Sequence, residues 1–496
     1  MAVKCINRPL PNILMKSMRS IGYSFSTAIA DVIDNSISAG AKNIFLTTPI
    51  SDNPDAILYV SILDDGCGMN DDELFKAMTY GTPREYSDKD LGRFGLGLKS
   101  ASLSQCRVLI VCSKTNNKVN AYKWDLDFVE EDKEWSCLKL DEDEIKNIPE
   151  IEKLKDIEHG TLVVWENFDV LFEKSGGQVR ACISEEMDLA CEHIRLVFHR
   201  FLNNQFNPIH IFINDLQLFG FDPFLERHPK TDTRDSSKLL IDGSTVEVQP
   251  FILPHQNDLS NEDIELAGGM KSLRENQGFY IYRNQRLIIY GTWFRLSSDF
   301  ITPELFKYGR IKVDIPNSLD AIWSIDIKKQ DAKIPKKLVN QLKSIVQKVK
   351  NRSKEKTEKR ARLTFESNEK MIWNKSKNVD NNKTNFFINI NSTFIREYLE
   401  EFNERDKNKV IRLLEIISSK LPLEDIYSSM ANNNCQNLSS QILNDELIEE
   451  GVYFFKTQKK RLQKDNSCIF ELMSKIEPFT DVKLLEAIKE RVENEQ

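Results

Sequence analysis

Residues 92–100, Gly-Arg-Phe-Gly-Leu-Gly-Leu-Lys-Ser, place three glycines in six positions and run without a break into a helical pattern, LKSASLSQ. A loop of this kind can turn successive backbone N–H groups toward one point, and the start of the helix adds more. The product is a ready anion site. Its context excludes two common phosphate-binding folds. The G-x-x-G-x-G spacing neither follows a buried strand nor opens a βαβ unit, which argues against a Rossmann fold, and the GK[ST] of a P-loop is missing. Either the segment cradles an anion in some other fold or it is a flexible loop. Its neighbours must decide.

Upstream, residues 24–39 set Phe25, Ala28, Ile29, Val32, Ile33 and Ile37 at helical spacing, with Gly40 suited to the helix end. KNIFLTT and AILYVSILDD read as strands, 71–79 as a short helix and 81–97 as a loop. Strands follow at RVLIVCS, NAYKWDLDF and GTLVVWEN. Helix and strand are mixed without strict βαβ alternation, so a helix layer on a mixed sheet is expected. A long helix at about 178–202 leads to HIFIND, STVEVQPFIL, GFYIYRNQRLII and RIKVDIP, a second strand-rich region. Helices resume at 336–363, Asn374–Lys383 reads as a polar loop or linker, and 392–418 and 480–494 read as helical.

At 496 residues the chain needs two or three cores. Hydrophobic residues at 40% and charged residues at 29% fit a globular protein. No apolar run approaches the ~20 residues of a membrane span, and the N-terminus lacks a signal-peptide pattern. A cytoplasmic protein with no membrane partner is expected. The nine cysteines are scattered, never C-x-x-C, and read as reduced thiols. The net charge of −8 argues against nucleic acid along the whole surface. Residues 328–362 nevertheless hold fourteen Lys/Arg against three Asp/Glu.

Two further motifs precede the glycine-rich segment. Asp31-x-x-Asp34-Asn35 lies on the first helix, and Asp31 and Asn35, four apart, share one face. A carboxylate there can orient a water, and an amide oxygen beside it can complete the oxygen shell of Mg²⁺. The same stripe also suits a solvated face. Asp64-Asp65-Gly66-Cys67-Gly68-Met69 follows a strand directly. An acid at a strand end can accept from an exocyclic amine, and two glycines let backbone approach a flat ring. An ordinary turn is the alternative.

Taken in order, with Gly160-Thr161 opening a later strand, these motifs resemble the N, G1, G2 and G3 boxes of the GHKL (gyrase, Hsp90, histidine kinase, MutL) ATPases. DNSISAGA, DDGCGM and GRFGLGLKS are especially similar to MORC and MutL proteins, and bacterial MORC-like ATPases are the nearest match in wording. The resemblance implies an α+β fold: a Bergerat-type ATP-binding sandwich over 1–204, an S5-like transducer domain over 205–335 and a helical C-terminal region over 336–496. It implies ATP and Mg²⁺ as ligands. Asn35 would hold Mg²⁺, and Asp64 would bind the adenine amine in a pocket formed with Ala39, Gly66, Gly68 and Met69. Gly92, Phe94, Gly95, Leu96, Gly97 and Leu98 would meet the phosphates, aided by Lys99. Thr161 would lie near the adenine end, and 77–97 would be the lid. Asp31 stands where hydrolysing relatives usually carry Glu, one methylene longer.

WSIDIKKQDAKIP resembles the transducer loop that sends a lysine, here Lys329, to the γ-phosphate. The implied activity is slow ATP hydrolysis with ATP-gated homodimerisation. Work beside other proteins of an anti-phage defence operon is a further implication. The basic run 328–362 reads either as a DNA-backbone contact, since phosphate contacts need only well-placed cations, or as a solvated helix after the transducer. A non-catalytic ATP-gated clamp and the ATPase subunit of a type IIB topoisomerase-like complex are the alternatives. A histidine kinase is disfavoured because the site begins near residue 24, with no phospho-acceptor bundle before it.

Overall fold

The computed structural model describes residues 9–20, 22–49, 58–80, 97–176, 178–294, 296, 306–320, 323, 334–365, 369–377, 384–422, 426 and 445–494. The chain divides into two compact units, Met1–Ser353 and Lys354–Gln496.

The first unit opens with α1 (Pro11–Arg19) and α2 (Phe25–Ser38). Ser24 caps α2 by accepting from the Thr27 N–H at 3.2 Å, and Gly40 ends it at φ 79°. Next come β1 (Asn43–Thr47), β2 (Tyr59–Asp64), α3 (Asp71–Met78) and α4 (Gly97–Gln105). An Asn70/Glu73 capping box starts α3. Then follow β3 (Val108–Thr115), β4 (Lys118–Asp125), α5 (Leu126–Asp132), β5 (Leu138–Lys139), α6 (Glu142–Lys146), α7 (Ile151–Asp156) and β6 (Gly160–Glu166). The sheet runs β5-β4-β3-β6-β2-β1-β7-β8, where β7 is His210–Ile213 and β8 is Leu216–Gln217. It is antiparallel except where β7 joins β1.

Alternation along the central strands feeds two cores. Ile62, Leu109, Val111, Val163 and Trp165 face α2, α4 and the long helix α9 (Val179–Val197), meeting Ala28, Val32, Leu103 and Ile194. Leu63, Ile110, Cys112, Leu162 and Val164 face the opposite way, beneath Ile145, Ile148, Ile151 and Leu154 of α6–α7 and the turn joining them. The mixed sheet under a helix layer is as expected from sequence. Its second cover is not, because an acidic stretch with four spaced apolar residues does not look like a lid on a core.

Between β6 and α9 lies α8 (Asp169–Ser175). The helix expected at 178–202 breaks at Phe198, leaving α10 (His199–Leu202) as a separate turn. The strand in HIFIND, which its sequence groups with the region from 205 onward, completes the first sheet by parallel pairing with β1 and buries Ile211 in that core.

The second sheet contains β9 (Asp232–Thr233), β10 (Ser237–Ile241), β11 (Ser244–Ile252), β12 (Gly278–Arg283), β13 (Arg286–Thr292) and β14 (Gly309–Ile315), in order β10-β11-β14-β12-β13 with β9 on β11. Helices α11 (Asn261–Leu266) and α12 (Gly269–Glu275) lie between β11 and β12. Helix α13 (Val339–Phe365) begins with Leu342, Val346 and Val349 packed into this sheet's core.

In the second unit, β15 (Trp373–Lys377) and β16 (Thr384–Ile388) form an antiparallel hairpin. Of the loop or linker expected at Asn374–Lys383, residues 374–377 are corrected to strand, because a polar, Asn/Lys-rich strand lacks the alternation by which strands are recognised; 378–383 lie outside the described residues. Helices α14 (Thr393–Glu400), α15 (Glu404–Ser419), α16 (Asp445–Leu462), α17 (Asn466–Met473) and α18 (Val482–Asn494) complete it. Their core centres on Phe454, Phe455, Phe470, Phe479 and Ile488. The chain is thus a mixed α+β protein with a helical C-terminal region. Among the described residues, no helix is long and apolar enough to cross a membrane.

Candidate nucleotide site

The site is built where α2, the end of β2, the start of β6 and the start of α4 converge. Asp31 is 3% exposed, and its Oδ2 accepts from the Tyr23 hydroxyl at 3.0 Å. A Cβ placed on Gly97 would lie 3.6 Å from that same oxygen, so the first turn of α4 abuts the carboxylate. Asn35, one turn further along α2, is exposed.

Asp64 ends β2 opposite Thr161 of β6. Its Oδ2 accepts from Ser36 Oγ at 2.7 Å and its Oδ1 from the Gly66 N–H at 2.9 Å. Burial pushes its carboxyl above the ordinary aspartate range, although hydrogen bonds from Ser36, Gly66 and Thr161 pull the other way. Each carboxylate oxygen accepts more than one hydrogen bond. An amine donor arriving here would find a buried acceptor held in one orientation.

The turn after Asp64 is pressed between two walls. A Cβ on Gly66 would sit 2.8 Å from that of Ala39, and the Cys67 N–H donates to the Ala39 carbonyl at 3.0 Å. Gly68 has φ 68°, and a Cβ there would lie 2.0 Å from the Lys114 carbonyl oxygen. No other residue fits that position. The Met69 N–H donates to Ser113 Oγ at 2.8 Å. That hydroxyl also lies 3.0 Å from the Gly160 carbonyl and 2.9 Å from Thr161 Oγ1. His159 Nδ1 is 2.5 Å from the Gly66 carbonyl.

Lys99 is 2% exposed and donates to the carbonyls of Ala77 (2.6 Å) and Thr79 (2.9 Å) at the end of α3. Burial pushes its ammonium down to about 8. In this structure it ties α4 to α3. Leu98 is half-buried beside it. The structure thus brings together Asp31, Asn35, Ala39, Asp64, Gly66, Gly68, Met69, Gly97, Leu98, Lys99 and Thr161. Gly92, Phe94, Gly95, Leu96 and Lys329, together with 81–96 of the expected lid, lie outside the described residues.

Tyr23, Ser36, Ser113 and His159 escape sequence reasoning. Ser113 and Thr161 meet through strand register, forty-eight positions apart, which no local spacing reveals. Ser36 lies beside Asn35 in the first motif and was legible only as a small helix residue.

An antiparallel-dominated sheet under a helix layer carries these carboxylates and glycines at one end. Residues 23–161 match the model of the histidine kinase-, DNA gyrase B- and HSP90-like ATPase family. The chain carries a GHKL ATPase domain, and MORC ATPases and MutL are among its relatives. It is 32% identical over 95 residues to ATPase morc-1 of Caenorhabditis elegans, covering 19% of this chain and 11% of that one. It is 28% identical over 107 residues to MORC family CW-type zinc finger protein 1 of Mus musculus, covering 21% and 11%. It is 37% identical over 81 residues to DNA mismatch repair protein MutL of Thermoanaerobacter sp. (strain X514), covering 16% and 12%. The matched stretch is therefore about an eighth or less of each relative's length. A solved N-terminal domain of a DNA repair protein shares a TM-score of 0.40 and 13% identity, covering 68% of this chain and 98% of that one.

Proposed function

We propose that the protein binds Mg-ATP at this site and hydrolyses it slowly, and that nucleotide binding gates its dimerisation. The observation carrying this reading is Asp64: a buried carboxylate oriented by Ser36 and Gly66, at the mouth of a turn that tolerates no Cβ at Gly68. It fits adenine, whose exocyclic amine needs an acceptor and whose flat ring needs close backbone.

Asn35 would contribute its amide oxygen to Mg²⁺, which when bound neutralises phosphate charge. Asp31 would orient and deprotonate the attacking water. Gly97 and Leu98 would offer first-turn N–H groups to the phosphates, as would Gly92, Phe94, Gly95 and Leu96 on the segment before them. Lys99 would add charge there on leaving the carbonyls of α3. Lys329 would approach the γ-phosphate from a second, S5-like transducer domain built on the sheet of β9–β14. DNA is the proposed partner, supported by the basic run 328–362 and by the relative named as a DNA mismatch repair protein. A role in defence rests on the MORC-like motifs alone.

One observation favours a second reading, an ATP-gated clamp without turnover. Asp31 is shorter than the usual glutamate, and one of its oxygens already accepts from Tyr23. Calorimetric titration with a nonhydrolysable ATP analogue, alongside steady-state phosphate release, tests both. Wild type is expected to bind only with Mg²⁺, and Asn35→Ala to lose that binding while keeping its fold by circular dichroism. Unchanged affinity in Asn35→Ala would remove this site assignment.

A further inference from the structure

Asp34 stands between Asp31 and Asn35 in sequence, but adjacent helix positions point ~100° apart, and it serves a different partner. Its side chain is 1% exposed, and Oδ1 accepts from Arg286 Nε at 2.7 Å. Arg286 opens β13 in the second sheet, 252 positions along the chain, and its guanidinium lies 5.5 Å from the Phe198 ring. Across the two-residue turn Asn284–Gln285 (φ 47° and 68°), Arg283 pairs with Arg286. Arg283 Nε in turn donates to both oxygens of Asp320, at 2.8 and 3.1 Å, just beyond β14. The hairpin end therefore carries two buried arginines. One is held by the helix of the nucleotide site and the other by the chain leaving β14.

A buried ion pair is a poor route to stability, because desolvation offsets most of its attraction, yet it fixes register sharply. Apolar packing between α2 and the hairpin would tolerate sliding. A 2.7 Å charge-assisted bond does not, since a shift of about an ångström breaks it and strands a buried charge. Polar contacts from α10 also cross to the second sheet nearby, His199 Nε2 to the Tyr282 hydroxyl at 2.7 Å and Arg200 to Asp314. Both start on α10, away from the nucleotide site. His193 of α9 faces the Asp34–Arg286 pair. Burial and then Arg286 push its imidazole down to about 4, so it adds no charge there at neutral pH.

We propose that Asp34–Arg286 is the coupling through which the state of the nucleotide site reaches the second sheet, with Arg283–Asp320 locking the moving hairpin to β14. Asp34 and Arg286 are then positioning residues: α2 carries Asp31 and Asn35, and any rotation of α2 on ligand binding drags β13 with it. The proposal rests on the nucleotide reading given above.

Amide hydrogen exchange over Gly278–Thr292 in the full chain, with and without a nonhydrolysable ATP analogue and Mg²⁺, tests it. In wild type the analogue is expected to slow exchange about tenfold, within the usual range of coupling between sites. The double variant Asp34→Asn/Arg286→Gln keeps a hydrogen bond but no charge. It is expected to bind the analogue within about threefold of wild type while the slowing falls below about twofold. Arg286→Lys, which keeps charge but loses the planar fork, is expected to fall between. Simple destabilisation would speed exchange with and without ligand alike and leave the ratio unchanged. Wild-type slowing in either variant overturns the proposal, as does wild-type binding with no change at 278–292. Failure of wild type to bind the analogue removes the nucleotide reading and the coupling with it, and calorimetry separates that outcome from the others.

Discussion

At the scale of single residues, Asp31 and Asp64 are both buried carboxylates, and the proposed function gives them different work. If Asp64 accepts from the adenine amine, its ionised form is the stronger acceptor, yet burial raises its carboxyl above the ordinary aspartate value. The sign follows. Its protonated form stabilises the fold fully below the unfolded value, and that contribution is lost as pH rises through the folded one. Nucleotide binding as proposed runs the other way, because the carboxylate is the stronger acceptor. Affinity for an ATP analogue is therefore expected to weaken on acidification, beginning above the normal aspartate range. Phosphate protonation weakens binding too, so the comparison is with Asp64→Asn, titrated calorimetrically between about pH 5 and 8. The variant should bind at least about tenfold more weakly at neutral pH, since a hydrogen bond to a charged group is worth ~1.5–3 kcal/mol. It should also show the shallower pH dependence. Equal slopes would mean Asp64 does not meet the ligand. For Asp31 the expectation concerns turnover: Asp31→Asn keeps the Tyr23 contact and the shape but removes the base. It should bind the analogue normally and hydrolyse ~10²–10⁴-fold more slowly. Wild-type turnover in a phosphate-release assay would assign water activation elsewhere.

At the scale of elements, legibility followed periodicity. Helix α2 was readable because Phe25, Ala28, Ile29, Val32 and Ile33 repeat at helical spacing and all face one core. The central strands were readable because they are apolar on both faces. That same property hid the second layer: continuous apolar runs imply cover on both sides, but the short helices α6 and α7 and the turn joining them set Ile145, Ile148, Ile151 and Leu154 among acidic residues. The hairpin β15–β16 was missed for lack of alternation. Within the site, Asp64 and the glycines were legible because they are contiguous. Ser113 and Arg286 were not, because strand register and packing between sheets bring them in. The turn at Gly66–Met69 has a tightly constrained sequence. Gly68→Ala adds a Cβ at φ 68° that collides with the Lys114 carbonyl. Backbone strain of this kind costs ~1–3 kcal/mol, and the clash displaces β3 as well. Urea unfolding should show a loss of at least about 2 kcal/mol. A loss under about 0.5 kcal/mol, typical of open surface positions, would mean the turn is loose.

At the scale of the whole molecule, charge is divided unevenly: a chain of net −8 concentrates fourteen Lys/Arg against three Asp/Glu in 328–362. The first half of helix α13 shows how such a segment serves two surfaces. Leu342, Val346 and Val349 are buried against the second sheet, while Lys343 and Lys348 are exposed. Lys350 lies over the Phe306 ring at 5.0 Å and Lys337 pairs with Asp242, so these two lysines have structural duties. If the exposed face meets a DNA backbone, binding should ignore base sequence and weaken steeply with salt, log K falling by about 0.9 per phosphate neutralised for each decade of salt. Reversing Lys343, Lys348, Lys354 and Lys356 to Glu, with Lys350, Lys337 and Lys329 left intact, should lower affinity for a duplex at low salt by at least tenfold, roughly the loss of four weak phosphate contacts. It should also flatten the salt slope by up to about 3.6, four contacts at 0.9 each. Fluorescence anisotropy over a salt series reads both quantities. A fall in affinity at unchanged slope would point to misfolding, which thermal unfolding of the variant checks. Wild-type affinity and slope together would make this stretch a solvated helical face and leave DNA to another surface.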